Sequence, residues 1–263
     1  MRIELYKNAE VPGHVELKQH MGEDIKTQVN AARASFGIEI EAVSDRDRKL
    51  FKTCARDKHT STMEHNVFTF AFKVPLFVAR QHMRHRTWSF NEISRRYTSK
   101  DLDFYSPKSF RKQAESNRQA SVPDSAHNPV LETIQGSMMS YSLTATEGVK
   151  SHVQAAQKLY KQMLDSGICR EQARMVLPQS LYTYYWGTVN LNNFFKFYEL
   201  RTHPGAQAEI QEMAIACMAL LKEIIPETIK IYKEAQDERE ANLIKNKFKN
   251  IPKEILNKYF LES

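Results

Sequence analysis

Residues 84–97, RHRTWSFNEISRRY, place four arginines and a histidine around a single acid, Glu92. Guanidinium groups match phosphate and carboxylate oxygens with paired hydrogen bonds, so this density predicts an anion-binding site. A basic patch facing nucleic acid, or a set of surface ion pairs, is an equally weighted alternative from composition alone. Glu92 argues for a small ligand, because an acid among phosphate-binding groups needs its own partner, such as a sugar hydroxyl or a ring N–H.

Two further arginines, Arg174 and Arg201, each end a helical segment rich in apolar residues. From the residues alone, a buried or interfacial salt bridge is the favoured interpretation for either one. His82, His85 and Glu64 do not have the spacing of a metal-binding motif such as HExxH. We therefore expect no metal site.

Neither GxGxxG nor GxxxxGK[ST] occurs among the eight glycines, which argues against a Rossmann or P-loop site. The three cysteines, Cys54, Cys169 and Cys217, form no CxxC pair, and none has the surroundings of an activated nucleophile. If the protein is an enzyme, its chemistry is therefore expected to come from a cofactor.

The composition excludes several classes of protein. The 263 residues are 41% hydrophobic, which is enough for a substantial core, and the net charge of +7 indicates anionic partners. No apolar run approaches the ~20 residues of a membrane helix, and the first residues lack the apolar segment of a signal peptide. These features predict a cytoplasmic protein that does not bind membranes.

The elements that must position the arginines can be read from the pattern. Residues 66–74, NVFTFAFKV, alternate as a strand packed on one face, and Pro75 suits the first turn of a helix extending to residue 86. That helix is expected to bring Gln81, Arg84 and Arg86 to a common edge.

Further elements are predicted downstream, with Gly167 as a helix stop and Asn190 as an N-cap. They are helix 149–164, short helix 170–177, strand 180–189, helix 191–201 and helix 206–225. The fold class is therefore α+β, a small antiparallel sheet packed with several long helices.

The domain prediction divides the chain in two. Residues 1–230 form a single domain with a mobile loop at 106–130, and residues 231–263 form a lysine-rich, mostly helical and solvated C-terminal extension.

The stretch 84–97 matches all nine specified positions of RHRxxSxNExSxRY, the signature of flavin-dependent thymidylate synthases, and the chain resembles that family. The resemblance continues through blocks between residues 12 and 225. They include AARASF, MEHNVFTF, PLFVARQ, SGICREQARMVLP, VNLNNFFKFYELR and AQAEIQ.

The resemblance implies an enzyme that converts deoxyuridylate (dUMP) to thymidylate (dTMP). FAD would carry the hydride, NADPH would be the reductant and 5,10-methylenetetrahydrofolate the carbon donor. It also implies a homotetramer whose active sites are shared between subunits, with no nucleic-acid partner.

The resemblance also assigns residues, by their positions in this chain. The nucleotide would be held by Gln81, His82, Met83, Arg84, Glu92, Ile93, Ser94, Arg95, Arg96, Arg174 and Arg201. FAD would be held by Ser35, His59, Ser61, Arg84, His85, Arg86, Glu92, Asn190, Leu191, Asn192 and Lys196.

Arg201 would be the catalytic residue, stabilising the deprotonated N3 of uracil. A guanidinium stays protonated near neutral pH, so it can stabilise negative charge on the ring without acting as a base. The absence of an activated cysteine agrees with such a mechanism. Asn192 and Lys196 depart from the residues that family members often carry, arginine and asparagine respectively, and Lys196 can restore the positive charge.

Two alternatives remain open from the sequence. The same scaffold could form another 5-substituted dUMP, for example by hydroxymethylation. A protein that binds nucleic acid through its basic surface, without catalysis, would instead be colourless and show strongly salt-dependent affinity.

Overall fold

The structure, a computed structural model, describes residues 1–115, 119–122, 125–135 and 140–247. The chain divides into two compact units. The first unit is built from residues 1–20 and 67–220, and the second from residues 21–66 and 221 onward.

The described residues contain seven strands and eight α-helices. The strands are β1 Arg2–Leu5, β2 Gly13–Met21, β3 Val67–Pro75, β4 Ser89–Glu92, β5 Val130–Gln135, β6 Ser140–Thr144 and β7 Tyr182–Asn190. The helices are α1 Lys26–Arg33, α2 Asp45–Arg56, α3 Leu76–His82, α4 Ala145–Asp165, α5 Arg170–Ala173, α6 Leu191–Thr202, α7 Ala208–Ile224 and α8 Pro226–Lys247.

A five-stranded sheet in the order β1-β2-β3-β7-β4 organises the first unit, and β5 and β6 form a separate hairpin. Antiparallel pairing of β3 with β7 runs from Val67 opposite Asn190 to Pro75 opposite Tyr182. On the other edge of β7, the short strand β4 pairs antiparallel from Ser89 to Glu92. The predicted α+β class with a small antiparallel sheet is confirmed.

The predicted alternation of β3 is confirmed by burial. Phe68, Phe70 and Phe72 are at most 1% exposed, and Phe72 stacks on Tyr185 with ring centroids 4.9 Å apart. Each buried phenylalanine contributes about 2–3 kcal/mol of hydrophobic stabilisation. Gly187 keeps β7 close to these rings, because a Cβ there would lie 3.1 Å from the Phe72 ring.

Local sequence signals mark the ends of two helices in the first unit, α4 and α6. Asn190 caps α6 by accepting a hydrogen bond from the Asn193 N–H at 2.9 Å. Thr144 and Glu147 form a capping box at the start of α4. Gly167 has a φ of 83°, the left-handed conformation that ends a helix, so the predicted stop after α4 is confirmed.

The second unit contains α1, α2 and α8. Both oxygens of Asp24 cap α8, accepting from the main-chain N–H groups of Glu227 at 2.9 Å and Thr228 at 2.8 Å. Ile231 and Ala235 of α8 are buried. The expectation that the chain is solvated from residue 231 is therefore wrong for the first turns of this helix, because their apolar side chains pack inside the unit.

The segment 106–130 pairs with itself where it is described, through bridges of Phe110 with His127 and Gln113 with Ser121. Parts of this segment and of the C-terminal extension lie outside the described residues, namely 116–118, 123–124 and 248–263. The mobile loop and the domain boundary at residue 230 stay predictions.

Candidate active site

The helix that carries Gln81 is shorter than predicted. Pro75 ends β3 and precedes α3 in an extended conformation, with φ −62° and ψ 150°, as a residue before a helix requires. After His82 the chain forms turns, in which the His85 N–H donates to the His82 carbonyl at 2.9 Å and the Trp88 N–H donates to the His85 carbonyl at 3.2 Å. The prediction that this helix continues to residue 86 is wrong.

Burial of Trp88 explains why the helix ends. Its indole is 5% exposed and meets the His82 ring edge-on, with centroids 4.4 Å apart. Placing this ring in the core bends the chain from α3 into β4. Arg84 and Arg86 therefore lie exposed in the turns, and they do not share a helical face with Gln81.

The His82 side chain belongs to the core. It is 0% exposed, and its Nδ1 lies 2.8 Å from the Tyr185 hydroxyl. Burial, with smaller effects from His85 and Arg201, holds the pKa of His82 well below its usual value. A nucleotide contact of His82 would therefore have to come from its main chain. Met83 follows as the C-cap of α3, half-buried.

Arg201, near the end of α6, makes two defined contacts. Its Nε donates to His85 Nε2 at 2.9 Å, and its Nη2 donates to the Gln81 main-chain carbonyl at 2.9 Å. Because His85 accepts through Nε2, its ring must be neutral with hydrogen on Nδ1. Burial and then the charge of Arg201 lower the pKa of His85 to about 4, which keeps the ring neutral.

The charge of Arg201 has no acidic partner in the described part of the chain. Its contacts are with an imidazole and a carbonyl, and burial lowers the pKa of its guanidinium. The buried salt bridge, one of the two interpretations favoured from the residues alone, is therefore absent for Arg201 in these residues, and the interfacial one stays a prediction. The structure thus brings together three residues assigned by resemblance, Gln81, His85 and Arg201, and the guanidinium of Arg201 has no counter-charge among the described residues.

A cavity of about 390 Å³ brings together four more of the predicted residues. Glu92, Ile93 and Arg95 reach it from the end of β4, and Arg174 reaches it from the turn after α5. Glu92 accepts a 2.6 Å hydrogen bond from the Thr183 hydroxyl of β7. Positively and negatively charged groups thus line one concave surface, as a nucleotide with phosphate and hydroxyl groups would require.

Arg95 is committed to the protein itself. It is 9% exposed, and its guanidinium donates to the main-chain carbonyls of Lys100, Asp101 at 3.0 Å and Tyr182 at 3.4 Å. Burial lowers its pKa. These bonds hold the chain that follows β4 against β7, so a structural task accompanies the predicted nucleotide contact.

Arg96 and Arg174 both contact Glu171 of the short helix α5. Arg96 pairs with the Glu171 carboxylate at 3.3 Å, and Arg174 Nε donates to the Glu171 main-chain carbonyl at 3.3 Å. Both arginines are exposed, and Ser94 accepts from the Arg96 main-chain N–H at 3.2 Å. Their donors remain accessible for an anionic ligand.

The residues at the start of α6 are mostly engaged in the fold. Leu191 is 0% exposed and Asn192 is 5% exposed, whereas Lys196 is exposed with its Nζ 3.4 Å from Asn193 Oδ1. Together with the cap residue Asn190, they stay predicted contacts of a cofactor.

Three predicted cofactor residues, Ser35, His59 and Ser61, lie in the second unit and are exposed there. Ser35 lies in the 3-10 turn Ala34–Phe36. His59 precedes the 3-10 turn that contains Ser61, and its carbonyl accepts from the Thr62 hydroxyl at 3.0 Å. Their part in binding a cofactor stays a prediction.

Sequence reasoning missed several residues near these groups. Arg80, Gln179 and Thr183 line the same cavity as Glu92, and the Gln207 amide contacts Gln81. Arg80 carried a signal, because it lies one helical turn before Arg84 and next to Gln81. Thr183 carried none, since its contact depends on the pairing of β4 with β7.

Two exposed guanidinium groups are available to bind the pyrophosphate of a dinucleotide. Arg84 and Arg86 form no ion pair within the described ranges, so their planar donors fit the oxygens of a pyrophosphate. Across the same ranges, no group of three or more His, Cys, Asp or Glu residues could hold a metal ion. None of the described helices is both long and apolar enough to cross a membrane.

Comparison with known proteins identifies the class and then the family. A family model described as "Thymidylate synthase complementing protein" matches residues 16–227. The UMP/dUMP methylase PolB of Streptomyces cacaoi, solved with 5-Br UMP, superposes with a TM-score of 0.68 at 28% identity, covering 85% of this chain and 95% of that one. The chain therefore shares its fold with an enzyme that is named as a methylase of pyrimidine nucleotides.

Two relatives narrow this class. The chain is 41% identical over 214 residues to a flavin-dependent thymidylate synthase of Thermus thermophilus, covering 81% of this chain and 73% of that protein. It is 36% identical over 220 residues to the enzyme of the same name in Thermosipho melanesiensis, covering 84% and 90%. The protein belongs to the flavin-dependent thymidylate synthase family.

Proposed function

We propose that the protein converts dUMP to dTMP, with 5,10-methylenetetrahydrofolate as carbon donor, FAD as the flavin and NADPH as reductant. The single observation that carries this proposal is the environment of Arg201. Its guanidinium is half-buried, lacks an acidic partner in the described part of the chain, and is fixed by His85 and the Gln81 carbonyl.

Such a cation would stabilise negative charge that develops on a pyrimidine ring when N3 loses its proton. Burial strengthens this interaction, because fewer water molecules screen the charge. The cavity residues Glu92 and Arg174, with the exposed Arg96, would hold the sugar and phosphate of the nucleotide. A reduced flavin, with Arg84 and Arg86 at its pyrophosphate, would supply the hydride.

The thiols support a reaction without a cysteine nucleophile. Burial raises the pKa of Cys54 and, more strongly, that of Cys217, so both stay protonated and inaccessible. Cys169 is exposed, and its thiol donates to the Gln172 amide oxygen at 3.6 Å. A substitution of Cys169 is therefore the informative one.

We also propose a homotetramer with active sites shared between subunits. Support comes from exposed apolar side chains in the first unit, because Leu200 and Ile215 are 57% and 54% exposed. Isolated exposed apolar residues are common, so the oligomeric state needs its own measurement by light scattering.

The test is a reaction of the purified protein with dUMP, methylenetetrahydrofolate and NADPH, with the product identified by its mass. We expect a yellow protein, dTMP as product, and unchanged turnover in Cys169→Ser. A hydroxymethyl product would replace the proposed reaction with its alternative. A colourless protein that takes up no added flavin would refute the proposal.

A further inference from the structure

A chain of four side chains connects the segment 106–130 to Gln81 within the first unit. It consists of Arg111, Glu209, Gln207 and Gln81, and is named the Glu209 chain below. Arg111 pairs with Glu209 Oε1 at 2.5 Å, Gln207 Nε2 donates to Glu209 Oε2 at 2.8 Å, and Gln81 Nε2 donates to Gln207 Oε1.

Glu209 is the fixed point of this chain. Glu209 is 6% exposed, and the Tyr105 hydroxyl also donates a hydrogen bond to its Oε1 at 3.1 Å. Burial alone would raise the pKa of this carboxyl, but the hydrogen bond and charge of Arg111, with the Gln207 amide, lower it. The carboxylate is therefore ionised and can only accept hydrogen bonds.

An acceptor at Glu209 determines the orientation of both amides in the Glu209 chain. Gln207 must turn its NH₂ toward the carboxylate, which leaves its oxygen facing Gln81. Gln81 must then turn its NH₂ toward that oxygen, and a longer contact of 3.5 Å joins the same nitrogen to the Phe77 carbonyl. Both N–H groups of Gln81 are thereby used, and its Oε1 is left for a ligand.

We propose that Gln207 and Glu209 are positioning residues that make Gln81 present a hydrogen-bond acceptor to the nucleotide. This inference rests on the proposed function. Gln81 Oε1 would accept a hydrogen bond from an N–H or O–H donor of dUMP, which means the ring N3–H or the 3′-hydroxyl. A phosphate oxygen is excluded, because two acceptors facing each other repel.

The main chain of Gln81 is also bound to Arg201, which donates to its carbonyl oxygen at 2.9 Å. A change in the Gln81 amide therefore alters ligand recognition beside the catalytic cation without removing a contact of that cation. Arg111 extends the connection to the segment 106–130, so the first residues of that segment are tied to nucleotide binding.

The experiment measures the dissociation constant of dUMP by calorimetry for the intact flavoprotein and for Gln207→Leu. This variant frees the Gln81 amide to rotate, and the loss of one oriented hydrogen bond corresponds to affinity about 3- to 10-fold weaker. Gln211→Leu is the matched control, because Gln211 lies on the same helix as Glu209 and donates to the Ala206 carbonyl at 2.6 Å.

Two further measurements separate positioning from a structural effect. In Gln81→Ala, adding Gln207→Leu is expected to cost no further affinity, since Gln207 acts through Gln81. The penalty of Gln207→Leu is expected to disappear with N3-methyl-dUMP if the ring N–H is read, or with 2′,3′-dideoxyuridylate if the hydroxyl is read.

Several results would overturn the inference. They are additive penalties in the double variant, an equal loss of affinity in Gln211→Leu, or a penalty that persists with both analogues. If dUMP does not bind the unaltered flavoprotein at all, the proposed function fails instead, so the two failures are distinguishable.

Discussion

The arginines around the cavity and Arg201, all in the first unit, differ in how their charge is balanced. Around the cavity, acids lie near some of the guanidinium groups, because Glu92 lines the same cavity as Arg95 and Arg174, and Glu171 pairs with Arg96. At the end of α6, Arg201 is fixed by a neutral imidazole and a carbonyl. The first arrangement is suited to binding a ligand that carries both donors and acceptors. The second is suited to stabilising charge that appears only during a reaction.

The largest expected effect comes from removing the unbalanced cation. Arg201→Ala should lower kcat by about 10²- to 10³-fold, the usual loss when one group that stabilises a developing charge is removed. Flavin absorbance should remain, and Arg201→Lys should recover part of the rate, because lysine restores the charge without the fork. Turnover near that of the unaltered enzyme would place uracil activation elsewhere and would contradict the distinction between Arg201 and the cavity arginines.

Substitutions of Arg95 and Arg174 separate a structural role from a ligand-binding role among the arginines that line the cavity. Arg95→Met should lower the free energy of unfolding by about 2–4 kcal/mol, because a buried guanidinium loses its three contacts with main-chain carbonyls. Arg174→Met should change stability by less than about 0.5 kcal/mol but raise the KM for dUMP. Urea unfolding and steady-state kinetics measure both. Equal stability of the two variants would contradict the structural task assigned to Arg95.

A last prediction concerns acid sensitivity and a buried histidine, His14, that belongs neither to the cavity nor to the contacts of Arg201. His14 is 9% exposed, and burial, followed by the charges of Arg2 and Lys73, lowers its pKa from 6.5 to about 4. Between these two pH values the unfolded chain binds more protons than the folded one. Stability contributed by neutral His14 is therefore complete above pH 6.5 and is lost as the pH falls toward 4.

The loss amounts to at most about 3 kcal/mol for this histidine. His14→Asn should therefore show a shallower fall in the free energy of unfolding between pH 6.5 and 4, measured with urea at several pH values. An identical slope in both proteins would assign the acid sensitivity to the site histidines, among them His85, whose pKa is also about 4.

Elements with strong local patterns were predictable from the sequence. The alternation of β3, the Asn190 cap of α6 and the Gly167 stop are all confirmed, since each depends on neighbouring residues. The end of α3 was not predictable, because burial of Trp88 in the core overrides the helical pattern. The strands β1 and β2 were not predicted, although Ile3 and Leu5, and likewise Val15 and Leu17, alternate with polar residues over a short stretch.

The sequence predicts which residues belong to the candidate site, but it says less about the role of each residue. The signature predicts which residues gather near a ligand, but the presence of an arginine alone does not tell a phosphate-binding donor from one that binds main-chain carbonyls. Arg95 shows this, because its partners Lys100, Asp101 and Tyr182 are set by the path of the chain. Likewise, the acceptor at Glu209 becomes apparent only when α3 and α7 are brought together.

The position of β7 between β3 and β4 has a consequence for synthesis of the protein. During translation, β3 and β4 emerge early, while their shared partner β7 and Arg201 are still to be made. Long-range pairing of this kind is slow, and it leaves strand edges open until it is complete. A nascent chain that has not yet released β7 from the ribosome therefore exposes one open edge of the phenylalanine-rich strand β3, which chaperones would recognise.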